Sequence, residues 1–195
     1  LFNATTIDLF VSELVNAGVQ ISDFLGLPEF KGMGDDSIKG GATFDLFIGG
    51  HGDDLLDASE SALAVGFGGE GADAVKGAKY AGIFWGDEIT PDETTSQACV
   101  DCDDSIKAVA GSLLNFFIAG EGDDDVTGGG RIDLIIGDGI TVDFINSVKF
   151  GSNLAKGSFT PPVGITTLGK GNDTLNGGVD VGWGIDFIAG GEGND

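Results

Sequence analysis

The sequence has few residues of three kinds that globular proteins ordinarily use. It contains two cysteines, four prolines, and only nine Lys and Arg against 32 Asp and Glu, for a formal net charge of −23. The few prolines, and glycines that do not fall at every third position, exclude collagen. Scarce positive charge makes nucleic acid and anionic membranes poor partners. Apolar runs long enough to span a bilayer, about 18 residues, are also missing, so no transmembrane segment is predicted.

Glycine and aspartate are what the sequence has in excess. Among its 195 residues are 36 glycines, and the acidic residues divide into 24 Asp and eight Glu. Ordering a glycine costs more backbone entropy than ordering any other residue, so this many indicates repeated turns or close backbone approach. Aspartate is typical of turns and of sites for hard cations. With 41% hydrophobic residues and 14 Phe, the chain is too apolar for an intrinsically disordered protein.

A nine-residue period organises most of the chain. In the unit at 49–57, Gly-Gly-His-Gly-Asp-Asp-Leu-Leu-Asp, glycine stands at the second and fourth positions, Asp at the sixth and a large apolar residue at the eighth. Residues 101–118, which precede the unit at 119–127, repeat the pattern more weakly. Units in this frame lie at 31–39, 40–48, 49–57, 68–76, 119–127, 128–136, 168–176 and 181–189, and a truncated unit begins at Gly190.

A unit of this kind divides into a six-residue turn, which the glycines allow, and a three-residue strand. Successive units then lie on opposite sides of a coil of about 18 residues, and coils stack at about 4.8 Å. The eighth-position side chains point inward and form a thin apolar ladder. Its predicted members include Ile38, Phe47, Leu56, Val126, Ile135, Leu175 and Ile188.

The same stacking places aspartate above aspartate. Like charges a few ångströms apart repel by about 1 to 4 kcal/mol per pair at effective dielectrics between those of water and a protein surface. A divalent cation between them reverses the sign of this interaction. Calcium is the better candidate, because it takes about six to eight oxygen ligands and accepts backbone carbonyls, whereas magnesium demands tight octahedral geometry.

The unit G-G-x-G-x-D-x-U-x, with U a large apolar residue, resembles the hemolysin-type calcium-binding nonapeptide of repeats-in-toxin (RTX) proteins. This resemblance implies an all-β fold, a parallel β-roll or right-handed β-solenoid of nine-residue half-coils with inserted loops. It also implies several bound Ca²⁺ ions, folding coupled to calcium, and a secreted or cell-surface location. In that family each ion lies between turns, bound by the sixth-position aspartates of unit n and unit n+2.

Carried over by frame, the resemblance predicts which sixth-position residues pair. The expected pairs are Asp36 with Asp54, Asp104 with Asp124, Asn115 with Asp133, and Asp173 with Asp195 provided that residues 177–180 bulge outward. Two positions break the pattern. Asp45 requires a partner near Ala64, where there is no acid, and Gly82 in the unit after Asp73 predicts an incomplete edge there. We therefore expect fewer ions than repeats.

The complete set of predicted metal ligands consists of sixth-position residues and turn glycines. The sixth-position residues are Asp36, Asp45, Asp54, Asp73, Asp104, Asn115, Asp124, Asp133, Asp173, Asp186 and Asp195, and the glycines are Gly32, Gly34, Gly50, Gly52, Gly69, Gly71, Gly120, Gly122, Gly169, Gly171, Gly182 and Gly184.

The pattern divides the chain into roll segments and other segments. Residues 1–30 are either degenerate repeats or an N-terminal helical cap, since Thr6 to Ala17 has helical apolar spacing. The predicted roll covers 31–85, 101–136 and 168–195, separated by an acidic loop at 86–100 and an insertion at 137–167. The chain begins and ends mid-pattern, so we expect it to be a piece of a longer protein.

Cys99 and Cys102 form a C-x-x-C pair that fits a disulfide, a redox pair or half a metal site. Zinc is disfavoured because His51 is the one other soft ligand in the sequence. A disulfide stapling the loop fits an oxidising exterior best.

We identify no catalytic constellation and predict that the segment is not an enzyme. Three functions stay open: a scaffold, surface-layer or filament segment that contacts copies of itself or other surface components; an adhesion module using the inserted loops; and the calcium-binding tail of a secreted enzyme or toxin.

Overall fold

A computed structural model describes residues 34–87, 102–140, 167–168, 171–179 and 184–195. Within these ranges the regular structure is entirely β, and no helix there is long and apolar enough to cross a membrane. The strands are β1 (Ser37–Lys39), β2 (Phe44–His51), β3 (Leu55–Asp57), β4 (Leu63–Glu70), β5 (Ala74–Lys76), β6 (Ala81–Trp85), β7 (Ser105–Lys107), β8 (Leu114–Ile118), β9 (Asp125–Thr127), β10 (Ile132–Ile136), β11 (Gly139–Ile140), β12 (Thr167–Leu168), β13 (Thr174–Asn176) and β14 (Ile185–Ala189).

Successive strands alternate between two parallel sheets. The short-strand sheet has the order β1-β3-β5-β7-β9-β13, and the long-strand sheet has the order β2-β4-β6-β8-β10-β14. Every pairing within these two sheets is parallel, while β11 and β12 form a separate antiparallel pair. This topology confirms the predicted all-β parallel roll.

The strand register shows the length of each coil. Ile38 lies opposite Leu56, and Leu56 lies opposite Val75, so these coils take 18 and 19 residues. Val75 then pairs with Ile106, across the first insertion, and Val126 pairs with Leu175, across the second. The insertions therefore lengthen single coils without interrupting the stack.

The space between the sheets is filled by the apolar residues at the eighth position. Leu56, Val75 and Ile106 of the short-strand sheet pack with Phe84 and Phe117 of the long-strand sheet, all of them buried. Phe84 lies between the rings of Phe47 and Phe117, with centroid distances of 6.5 and 6.1 Å. Partly buried Ile38 and Leu175 extend this ladder, and Ile188 is more exposed because β14 is the last strand of its described sheet.

The long-strand sheet has a second buried face, which the repeat pattern did not predict. Alternate strand residues point to opposite faces, yet the outward row Val65, Ile83, Phe116 and Leu134 is at most 2% exposed. Trp85 belongs to the neighbouring outward row, and its ring stacks on that of Phe67 at 4.8 Å. The core is thus thicker than the single predicted ladder. Strands buried on both faces are expected to be apolar at nearly every position.

The two sheets meet at two edges that differ in their turns. At the edge that we call the glycine edge, the chain passes from the long-strand sheet to the short-strand sheet, as in the turn at 52–54. At the return edge it passes back, as in the turn at 58–62. Both insertions leave the roll at the glycine edge, one after Asp87 and the other near Asp138.

Several predicted features lie outside the described residues. They are the alternatives of helix or degenerate repeat for residues 1–30, the ligands Gly32, Gly169 and Gly182, residue Cys99, and most of both insertions.

Candidate metal centre

The turns of the glycine edge are stacked so closely that a side chain has no room at several positions. Gly69 has φ +122°, and a Cβ there would overlap the carbonyl oxygen of Gly50 in the adjacent turn. Gly122 has φ +126°, and a Cβ there would overlap the carbonyl oxygen of Cys102. Left-handed backbone combined with close approach of a carbonyl requires glycine. The result is an edge lined by backbone carbonyls.

A column of sixth-position aspartates runs along this edge. The backbone N–H of Asp36 donates to Asp54 Oδ1 at 2.7 Å, and the N–H of Asp54 donates to Asp73 Oδ1 at 2.8 Å. One oxygen of each carboxylate is therefore used to join neighbouring turns. The column continues by the same bond from Asp73 to Asp104 (2.8 Å), Asp104 to Asp124 (2.7 Å), Asp124 to Asp173 (3.1 Å) and Asp173 to Asp195 (3.3 Å).

The second oxygen of these carboxylates is buried without a hydrogen-bond partner. This holds for Oδ2 of five aspartates, each at most 4% exposed. Backbone carbonyls face the same spaces: the position of a Cβ on Gly49 lies against both Asp54 Oδ2 and the Gly68 carbonyl oxygen. An unsatisfied buried acceptor is costly and requires an explanation. The five aspartates are Asp54, Asp73, Asp104, Asp124 and Asp173.

Burial makes the charged form of these carboxylates unfavourable. Burial, together with a smaller contribution from the neighbouring carboxylates, raises the pKa of Asp104 to about 10 and that of Asp124 to about 8. Burial likewise raises the pKa of Asp73 to about 7 and that of Asp173 to about 6, against hydrogen bonds from backbone N–H groups that lower them. The pKa of Asp54 is also raised, chiefly by burial. Such an array needs either protons or a cation.

The oxygen atoms at this edge are of the kinds that calcium binds. Its usual ligands are carboxylate and carbonyl oxygens in flexible geometry, and both kinds of oxygen face the same spaces here. Within the described residues no three His, Cys, Asp or Glu side chains form a metal cluster. Each ion is therefore expected to take few carboxylates and to complete its shell with carbonyls or water.

A second polar column, at the fifth position, was not among the predicted sites. The N–H of Asp53 donates to Asp35 Oδ1 at 3.1 Å, and the N–H of Asp123 donates to Asp103 Oδ1 at 2.8 Å. In this column the later residue donates to the earlier one, whereas in the sixth-position column the earlier residue donates to the later one. The carboxylates of the fifth-position column are exposed. The sequence signal was the Asp-Asp doublet, as at 53–54 and 123–124.

Asp87 and Asp138 are two further residues that the repeat pattern missed. Each replaces a second-position glycine where an insertion begins, and each accepts a hydrogen bond from the next turn. Asp87 Oδ2 accepts from the N–H of Glu121, and Asp138 Oδ2 accepts from the N–H of Glu192 at 2.6 Å. Burial raises the pKa of Asp87 to about 8. The signal was Gly-Asp directly after a strand, at 86–87 and 137–138.

At the return edge three sixth-position residues, Asp45, Asn115 and Asp133, are held by hydrogen bonds. Asp45 Oδ2 accepts from the Ser61 hydroxyl at 2.6 Å and from the N–H of Gly41 at 2.9 Å. Asp133 Oδ2 accepts from the N–H groups of Gly129 and Gly130, both at 3.0 Å. The Asn115 side-chain amide joins this network: its Nδ2 donates to Asp133 Oδ1 at 2.6 Å and to Ser112 Oγ at 2.8 Å.

The structure brings together all four pairs that the frame predicted. Asp36 contacts Asp54, Asp104 contacts Asp124, Asn115 contacts Asp133, and Asp173 contacts Asp195. Ala64 lies opposite Asp45, as expected, and Asp186 lies opposite Asp133.

The expectation of an incomplete edge at Asp73 is wrong. Asp73 accepts a hydrogen bond from Asp54 and donates one to Asp104, so the column is unbroken there. Gly82 belongs to the other edge, in register with Ala64 and Asn115. Successive units lie on opposite sides of a coil, so Gly82, in the unit after Asp73, does not belong to the column of Asp73, whose next member is Asp104 beyond the first insertion.

The predicted cysteine and histidine positions have structural partners. Cys102 is disulfide-bonded and buried, and Cys99 is the other cysteine of the sequence. His51 Nδ1 lies 2.6 Å from Glu70 Oε2 in the adjacent coil. Within the described residues, neither forms part of a zinc cluster.

Two parallel sheets joined by glycine turns, with a column of buried aspartates at one edge, define a parallel β-roll. The family model of the RTX calcium-binding nonapeptide repeat matches four copies in this chain, within residues 32–60, 167–181 and 180–195. The chain therefore carries RTX calcium-binding repeats, as the resemblance implied. No curated protein and no solved structure matches it.

Proposed function

We propose that this chain is a structural segment of an extracellular or cell-surface protein, a scaffold, surface-layer or filament portion whose folding is coupled to Ca²⁺, and that it has no catalytic role. The family match supports calcium binding and, since RTX proteins are generally secreted, an external location. The disulfide at Cys102 supports an oxidising compartment.

One observation carries this proposal: five carboxylate oxygens of the sixth-position column are buried and have no hydrogen-bond partner. Asp54, Asp73, Asp104, Asp124 and Asp173, with the carbonyls beside them, would hold the ions. A bound Ca²⁺ supplies positive charge where the roll stacks negative charge. The aspartates orient their free oxygens through the Oδ1 hydrogen bonds to neighbouring turns, and the glycines bring the carbonyls within reach.

Calcium binding of this kind is linked to folding, because the unfolded chain does not bring these oxygens together. An ion that binds only the folded state stabilises it by about 2.7 kcal/mol per independent site when its concentration is 100 times its Kd. Several sites along one edge therefore decide whether a chain with a net charge of −23 folds. Extracellular calcium modules typically work at about 0.1 to 1 mM.

Circular dichroism tests the proposal. The purified chain is treated with chelator and titrated with CaCl₂ in the far ultraviolet, with MgCl₂ as the control. We expect the β signal to rise at submillimolar to millimolar calcium and to stay flat with magnesium. A spectrum that is already folded in chelator and unchanged by calcium would contradict the coupling of folding to the metal.

A further inference from the structure

Both edges of the roll carry aspartates at the sixth position, but the hydrogen bonds to these carboxylates differ. At the glycine edge, Oδ1 of Asp104 accepts the N–H of Asp73 while Oδ2 has no hydrogen-bond partner and is buried. At the return edge, Asp133 uses both oxygens: Oδ2 accepts two backbone N–H groups and Oδ1 accepts the Asn115 amide. One oxygen of Asp104 lacks a hydrogen-bond partner, whereas both oxygens of Asp133 have one.

The turn sequences explain this difference. The fourth position of the repeat is glycine in most turns of the glycine edge, as in Gly52 and Gly122, where φ is +117° and +126°. In the return-edge coils of Asp45 and Asp133 it is Thr43 or Arg131, whose backbones cannot readily take that conformation, whereas the last coil has Gly184 there. Those turns instead direct N–H groups at the carboxylate. Donors pointing at an oxygen exclude a cation from the same place.

Side chains strengthen the closure of the return edge. The Ser61 hydroxyl lies on Asp45 Oδ2, at the position that a Cβ on Gly40 would overlap. At the equivalent place beside Gly49, on the other edge, the neighbouring group is the Gly68 carbonyl. In the coil of Asp45 a hydroxyl that donates has thus replaced a carbonyl that can only accept, whereas beside Asp133 the neighbouring group is the Gly177 carbonyl. In two further coils the sixth position is Ala64 or Gly82, which offer no side-chain oxygen.

We propose that Ca²⁺ binds along the glycine edge, at the five aspartates with unpartnered oxygens, and that the return-edge coils of Asp45, Asn115 and Asp133 are closed by their own hydrogen bonds and stay metal-free. This inference rests on the proposed calcium function. It assigns Asp45, Asn115 and Asp133 to hydrogen-bonded turn closure rather than to metal binding. The one buried acceptor without a partner on that edge, among the described residues, is the neutral amide oxygen of Asn115.

The test compares one isosteric substitution on each edge in the full chain. Asp104→Asn removes a charge from the glycine edge, and Asp133→Asn removes one from the return edge. Bound calcium is counted by equilibrium dialysis, and the melting temperature is measured in chelator and in saturating CaCl₂. The readout is the calcium-induced rise in melting temperature, which is separate from the intrinsic cost of each substitution.

We expect Asp104→Asn to lose at least one bound ion and part of the calcium-induced rise, with a melting temperature in chelator no lower than that of the parent. Asp133→Asn should melt lower with and without calcium and keep both the ion count and the full rise. Ser61→Ala is a milder return-edge variant with the same expectation, and Asp54→Asn is a second glycine-edge variant.

Loss of ions in Asp133→Asn or Ser61→Ala, or an unchanged ion count in both Asp104→Asn and Asp54→Asn, would overturn the assignment of ions to one edge while calcium binding itself stands. If the parent chain binds no calcium, the proposed function fails, and this inference fails with it.

Discussion

At the scale of single residues, a sixth-position aspartate takes its role from its neighbours. Asp104 and Asp133 occupy the same repeat position, yet one has a free buried oxygen and the other has none. The role of a glycine also depends on the atoms around it. Gly122 lies against the carbonyl of Cys102, whereas Gly111 also has positive φ, +82°, but open space around its Cβ position.

This contrast between glycines gives a stability prediction. Gly111→Ala should lower the free energy of unfolding by about 1 to 2 kcal/mol, the cost of left-handed backbone for a residue with a Cβ. Gly122→Ala carries that cost and must also displace a backbone carbonyl, so we expect at least about twice the loss. Urea unfolding in saturating calcium measures both. Equal losses in the two variants would contradict the close stacking of the turns.

The residue-scale predictions from sequence succeeded where the nine-residue frame was intact. The frame placed Asp36 beside Asp54 and Asn115 beside Asp133 because a fixed period fixes the register of a solenoid. Gly82 was misassigned because successive units lie on opposite edges, so the unit after Asp73 does not continue its column. The frame also missed Ser61, whose hydroxyl reaches Asp45 from the next coil and whose position belongs to no repeat motif.

At the scale of strands, the two sheets differ although they arise from one repeat. The short strands alternate a buried apolar residue with exposed or half-buried neighbours, as in β5 and β9. The strands β6 and β8 are buried at all five positions. The sequence contains a signal for this difference, in nearly continuous apolar runs such as Leu-Asn-Phe-Phe-Ile at 114–118. The repeat formula does not show it, because the formula assigns an apolar residue to the eighth position only.

The second buried face of the long-strand sheet is tested with two adjacent phenylalanines. Phe117 points into the roll and Phe116 points outward, and both are buried. We expect Phe116→Ala to cost about 3 to 5 kcal/mol of unfolding free energy, as much as Phe117→Ala, because both remove a buried ring.

Thr174→Ala, on the exposed outward face of the short-strand sheet, is the matched control. It should change the free energy of unfolding by no more than about 0.5 kcal/mol. Denaturant unfolding of all three variants in calcium compares them. If Phe116→Ala behaves like Thr174→Ala, the outward face contributes no core.

At the scale of the whole molecule, the roll stores negative charge that either calcium or protons can neutralise. Without calcium, the pKa values of Asp73, Asp124 and Asp104 in the folded chain are raised by burial to about 7, 8 and 10. The unfolded reference is 3.8 for each. The folded state therefore holds protons that the unfolded state releases, and the stability from this source is present below pH 3.8 and lost as the pH rises through 7 to 10.

The calcium-free chain should consequently melt at progressively lower temperature as the pH is raised from about 5 to about 9. Melting in excess chelator, followed by circular dichroism, measures this. The slope should be shallower in Asp104→Asn, which lacks the carboxyl with the most strongly raised pKa. A melting temperature that rises with pH in chelator would show that these carboxyls do not control the stability of the metal-free roll.

The position of the insertions allows the number of stacked coils and the exposed segments to change independently. Both insertions depart from one edge, and the strands on either side of each still pair directly, β5 with β7 and β9 with β13. The entropy of closing a loop grows only with the logarithm of its length, about 0.6 kcal/mol per doubling. Evolution can thus lengthen the rod by adding coils of about 18 residues, or diversify the exposed segments along one rim, and each change leaves the other untouched.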